Sequence, residues 1–195
     1  GKEVMPCHIA NRQSQGEMNQ VGDVIRTALY LGDAGYSTAF FGKWHLNQHY
    51  RGYLGWSPTH GPRQQGFQHA IEDFGSHPYS YRKNGEPTPI RETGVFPTDG
   101  VTQHAIDFLR NGAEEPFFLM VSHFYVHTPV QTPCHWLLKK YDAKIPADAP
   151  NRKKRIAYAA FLETLDHYVG ELLGVLAAEG LRENTLVVFM SDNGG

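Results

Sequence analysis

Three stretches of this chain read as apolar strands that run directly into polar side chains able to grip an oxyanion or a metal ion. They are residues 38–45 (TAFFGKWH), 117–129 (FFLMVSHFYVHTP) and 186–195 (LVVFMSDNGG). In an open α/β sheet, ligands bind just beyond the carboxyl ends of the strands. Three such ends, carrying Lys43 with His45, His127, and Asp192 with Asn193, predict one shared site and an enzyme.

The segments between these strands are helical by periodicity. Residues 23–34 carry Val24, Ala28, Leu29 and Leu31 and stop at Gly35, a good left-handed end. Thr98, ahead of Asp99, is the expected N-cap of a helix through Leu109 that ends at Asn111-Gly112. Residues 156–178 place apolar side chains at 158, 161, 162, 165, 169, 172, 173 and 176, spacings of three and four that mark one packed face. With strands expected at 38–41, 114–124 and 186–190, the alternation predicts an α/β fold, a mainly parallel (mixed) sheet sandwiched by helices. Residues 47–97, rich in Gly, Pro, His and Tyr, read as long loops with a short hairpin near 83–86 and are placed to wall a pocket.

Composition narrows the classes. At 195 residues and 41% hydrophobic, the chain can bury a sizeable core, and one domain is the natural count. A formal net charge of -2 and a pI near 6.6 offer no attraction to nucleic acid or to an acidic membrane surface. No apolar run is long enough to span a bilayer, and the opening GKEVMPCHIA has no hydrophobic signal core. Cys7 and Cys134 are too few for a disulfide framework. The basic run at 152–155 (RKKR), just before an amphipathic helix, reads as a solvated face.

Taken residue by residue, each candidate also has a plainer reading. Lys43 fits a solvated lysine, His45 and His127 packed core histidines, the latter with Thr128-Pro129 merely turning the chain, and Asp192-Asn193 an ordinary strand-to-turn pair. What favours a site is position: Lys43 ends the apolar run Ala39-Phe40-Phe41 after a glycine that permits close backbone approach, and Asp192 and Asn193 offer the hard oxygens that calcium prefers. The pairs His45/His49 and His123/His127 have a spacing that aligns zinc ligands on a helix, but both follow strands and lack a third ligand pattern.

The string GYSTAFFGKWH at 35–45 resembles the second signature of the sulfatases. Residues 127–129 (HTP) are similar to the His-x-Pro of that family and 191–195 (SDNGG) to its Ser-Asp-Asn-Gly, while YAAFLETLDHYVGELL and TDGVTQHAIDFL resemble two of its helices. These matches occur in family order along nearly the whole chain. The family departs from this sequence at His127, which it usually precedes by proline where Val126 stands.

The resemblance implies an alkaline-phosphatase-like fold and hydrolysis of sulfate esters by a formylglycine nucleophile beside a calcium ion. It implies that Asp192 and Asn193 hold calcium and that Lys43 contacts the sulfate. It makes His45 the proton acceptor that releases sulfate, and His127 a sulfate contact and proton donor to the leaving alcohol. Sulfatases carry two metal-binding aspartates and Cys-x-Pro-Ser-Arg, whose cysteine becomes formylglycine, upstream of this region. Cys7 is followed by His8, Ile9, Ala10 and Asn11 and is not that cysteine. The chain is therefore expected to be an internal piece (1–195) of a catalytic domain, inactive alone, with the cysteine or serine form of the motif upstream of Gly1. The expected substrate is a small-molecule or carbohydrate sulfate ester, and the family suggests a secreted, periplasmic or lysosomal setting. A phosphoryl-ester hydrolase of the same superfamily and an inactive sulfatase-like binding protein are the alternatives.

Overall fold

The computed structural model describes residues 27–47, 49–52, 54–80, 89–113 and 116–191. Its centre is strand β1, Ser37–Gly42, buried along its whole length. A strand alternates its side chains between two faces, and here both faces are covered, which is why STAFFG carries no exposed polar position. Strands β2 (His69–Ile71) and β3 (Phe117–Ser122) flank it in the order β2-β1-β3, both parallel to it. Ala39 lies opposite His69 on one side and Leu119 on the other.

Phe40 points to one face, where it meets Trp44, Phe67, Ala70 and Ala28 of helix α1 (Thr27–Asp33). The Phe40 and Trp44 rings meet edge to face, centroids 5.2 Å apart at 88°, an arrangement favoured by ring quadrupoles. Ala39 and Phe41 point to the opposite face, against Val101 and Ala105 of helix α2 (Gly100–Asp107) and against Phe108. Helix α3 (His135–Lys144) and the long helix α4 (Arg152–Ala178) complete that side: Ile106 and Leu109 pack on Val175 and Leu176, and Leu137 and Cys134 on Ala160. The sheet is thus covered by helices on both faces, as the alternation of elements predicts.

Several details depart from the sequence reading. Asp99, not Thr98, caps α2: its carboxylate accepts from the Thr102 backbone N–H at 2.9 Å and from the Thr102 hydroxyl at 2.8 Å. β2 lies inside the stretch read as loops, because three residues with one buried side chain, Ala70, give too little pattern to find. α3 was not anticipated. The buried face of α4 includes Ala160, Thr164 and Tyr168, whereas Tyr158, Leu162 and Leu173 are exposed. The hydroxyls explain the exchange, since Thr164 donates to the Ala160 carbonyl and Tyr168 to the Pro97 carbonyl, so both can be buried without an unmet hydrogen bond.

Residues 186–190 do not form the expected strand. They carry no regular secondary structure and are exposed, Leu186 to 89%. A strand sequence becomes a strand only when a sheet edge accepts its backbone, and among the described residues the sheet comprises β2, β1 and β3. The hairpin expected near 83–86 and the first turn of the helix read from residue 23 lie outside the described residues. In the basic run, Lys153, Lys154 and Arg155 are exposed as expected, but Arg152 binds Asp142 Oδ1 at 2.6 Å and the Pro146 carbonyl at 3.0 Å, tying the start of α4 to α3.

The exit of β1 depends on a glycine. Gly42 has φ +113°, and a Cβ there would stand 2.0 Å from the Ser122 carbonyl oxygen of β3. Gly42→Ala must therefore strain the backbone and push β1 from β3, lowering stability by roughly 2–4 kcal/mol. Urea unfolding should show a lower midpoint at unchanged slope; an unshifted midpoint would contradict this view of the β1–β3 junction.

Candidate active site

The end of β1 is fixed to the end of β3 by a reciprocal pair of hydrogen bonds. The Lys43 N–H donates to the Ser122 carbonyl at 2.8 Å, and the Ser122 hydroxyl donates back to the Lys43 carbonyl at 2.8 Å. Trp44 is held in the core, its indole N–H on the His60 carbonyl at 3.2 Å, so Lys43 and His45 flank a buried anchor. Lys43 Nζ lies 5.0 Å from the centre of the Phe124 ring, close enough for a cation–π contact. His45 is exposed, with Nε2 3.5 Å from Nε2 of His49.

Phe124 joins the first strand end to the second. Only 2% exposed, it contacts Phe74, His77, Tyr79 and His127, the last with ring centroids 5.0 Å apart. Lys43 and His127, predicted from separate motifs, thus meet the same ring. A turn places His127: its N–H donates to the Phe124 carbonyl at 2.9 Å, and its Nδ1 is 2.6 Å from the Thr128 carbonyl. A carbonyl only accepts, so Nδ1 carries a proton and Nε2 is the nitrogen left to exchange one. Asp192 and Asn193 lie outside the described residues.

Sequence reasoning missed the groups beneath this surface. Ser76 Oγ lies 2.7 Å from both the Tyr125 and the Tyr168 hydroxyls, and the Ser76 N–H donates to Asp99 Oδ2 at 2.8 Å. Burial holds the Tyr168 hydroxyl well above the usual phenol range. His77, fully buried, bonds the His127 carbonyl through Nε2 at 2.8 Å. These residues come from an aperiodic stretch, a helix face and a turn, and no local pattern links them.

Burial pushes His77 from an ordinary 6.5 down to about 4, with the hydrogen bond to His127 opposing and the charges of His127 and Lys43 assisting. Burial lowers His123 too, against the pull of Asp99. A histidine with a depressed folded pKa stabilises the fold fully above pH 6.5, and the contribution is lost as pH falls from 6.5 toward 4. For His77 this is about 3 kcal/mol. Unfolding free energy should therefore drop through that window, and His77→Gln should make the drop shallower; an identical pH slope in the variant would contradict the assignment.

Known proteins resemble this chain in sequence and in fold. The Sulfatase family model matches residues 28–195. The Ulvan-active sulfatase of Formosa agariphila is 31% identical over 177 residues, covering 82% of this chain and 33% of that protein. An arylsulfatase of Klebsiella aerogenes is 24% identical over 91% of this chain and 49% of its own length. The chain thus spans no more than half of either relative. The crystal structure of Ps i-CgsB in complex with k-i-k-neocarrahexaose superposes with a TM-score of 0.61 at 27% identity, over 89% of this chain and 41% of that one. The parallel sheet between helices is therefore part of the alkaline-phosphatase-like fold. With the family model matched across most of its length, the chain belongs to the sulfatase family.

Proposed function

We propose that this chain is part of a longer catalytic domain that hydrolyses sulfate esters of a carbohydrate or other small molecule, and that it carries the residues which hold the sulfate and move protons around it. The observation that supports this most is the meeting of Lys43 and His127 at Phe124, beyond the carboxyl ends of β1 and β3. An ammonium and an imidazole brought together at such a strand end suit a tetrahedral oxyanion. The same placement argues against a purely structural role for either.

Asp192 and Asn193 would hold calcium, because a carboxylate and an amide offer the hard oxygens that ion selects. Among the described residues no group of three His, Cys, Asp or Glu side chains could hold a metal. When present, calcium would supply charge to offset the sulfate oxygens, and a formylglycine would supply the nucleophilic hydroxyl. Lys43 contributes fixed positive charge at a sulfate oxygen, its ammonium steadied by the Phe124 ring. His127, when doubly protonated, would give its Nε2 proton to the departing alcohol and return to the neutral ring whose Nδ1–H stays on the Thr128 carbonyl. His45 would serve as the proton acceptor at this strand end, with the His49 imidazole 3.5 Å away as its neighbour.

In the longer protein, Lys43→Ala should lower kcat/KM for an aryl or carbohydrate sulfate by roughly a hundredfold or more. The loss should be similar from pH 6 to 9, since a lysine ammonium stays charged there. His127→Ala should lose activity with a better-preserved rate on substrates whose leaving group needs no proton, such as nitrophenyl sulfate. Full sulfate-ester turnover by Lys43→Ala, or turnover of phosphate esters with none of sulfate esters, would overturn the reading.

A further inference from the structure

The buried histidine beneath the site makes contacts that dictate its state. The backbone N–H of Tyr79 donates to His77 Nδ1 at 3.1 Å, so Nδ1 must be the acceptor. The other nitrogen, Nε2, must then carry the proton that it donates to the His127 carbonyl at 2.8 Å. The ring is gripped on several sides: Phe124 at 4.5 Å, Phe161 at 5.4 Å, Tyr125 edge-on at 5.5 Å and Tyr79 stacked at 5.5 Å. Neither its tautomer nor its orientation is free.

What it holds is a loop without regular structure. Residues 123–130 follow β3, and the backbone of His127 is fixed there by its own N–H on the Phe124 carbonyl and by His77 on its carbonyl. Because His127 Nδ1 bonds the adjacent Thr128 carbonyl, the imidazole turns with that backbone. From this geometry we infer that His77 is a positioning residue for His127, a neutral Nε2–H donor that sets the direction in which His127 Nε2 faces the reacting ester. This rests on the role proposed above for His127. The charged and titratable groups around His77 are His127, Lys43, Asp99 and the phenols of Tyr79 and Tyr125, and the pull of Asp99 toward protonation is smaller than the opposing effect of burial. With its pKa lowered to about 4, the donor is neutral at neutral pH.

The test pairs two substitutions in the longer protein. His77→Phe keeps ring volume and aromatic contacts but removes both hydrogen bonds, whereas His77→Gln restores an N–H near the position of Nε2. The Phe variant should lose about tenfold in kcat with KM little changed, and the Gln variant should recover most of it. In a His127→Ala background, His77→Phe should add no further loss. Histidine 15N NMR of the wild-type protein should show His77 as the Nε2–H tautomer at neutral pH. A Phe variant as active as wild type, a further tenfold loss in the His127→Ala background, or an Nδ1–H tautomer would overturn the inference about His77 alone. If His127→Ala itself retains full activity, it is the reading of His127 that fails. Should His77→Phe not fold, the Gln variant and the tautomer still decide the question.

Discussion

Everything in this molecule is arranged around the parallel pairing of β1 with β3, and the decisive contact is where that pairing ends. Six residue pairs hold the two strands in register from Ser37 with Phe117 to Gly42 with Ser122. Beyond the last pair, Ser122 and Lys43 exchange a backbone and a side-chain hydrogen bond. The close approach at Gly42 allows this, and both chains then leave the sheet together. Lys43 and the loop bearing His127 leave the sheet as neighbours, because the sheet delivers their strands side by side. Sequence order, in which they are far apart, plays no part.

Beneath that junction the polar groups act as a frame. Asp99 caps α2 and also receives the Ser76 N–H. Ser76 joins the hydroxyls of Tyr125 and Tyr168, and Tyr168 in turn reaches the Pro97 carbonyl. Each buried hydroxyl is satisfied, so the network costs little and fixes α4 against the turn after β3. His123 stands apart: both its ring nitrogens are buried without a hydrogen-bond partner, and the nearest carboxylate oxygen, on Asp99, is 3.7 Å away. Burial favours its neutral form, against the pull of Asp99.

Much of this was legible in the sequence, for identifiable reasons. TAFFG is an apolar run closed by a glycine, so β1 could be read directly, and its alternation with helices pointed to a mainly parallel sheet, but its central place in that sheet could not be read. Lys43 and His127 stood out as candidates because glycine, proline and polar residues punctuate the ends of apolar runs. A shared strand-end site was expected from the same ends, but not the ring at which they meet, since Phe124 reads as one more apolar residue of the same run. β2 and α3 are short and half exposed, and carry too few buried positions to leave a period. Tyr168 and Thr164 broke the apolar stripe on α4 because their partners lie in other segments or on the helix backbone. Residues 186–190 show the reverse failure: five consecutive apolar residues satisfy every local rule for a strand, yet pairing is a property of the sheet rather than of the segment.

The central claim is that Lys43 and His127 address one sulfate from adjacent strand ends. A crystal structure of the longer protein with a slowly hydrolysed sulfate ester bound tests it most directly. The account predicts Lys43 Nζ within hydrogen-bond distance of a sulfate oxygen and His127 Nε2 within the same distance of the sulfate or the ester oxygen. A sulfate bound elsewhere, with Lys43 still resting on Phe124 and His127 turned away from the ester, would contradict it.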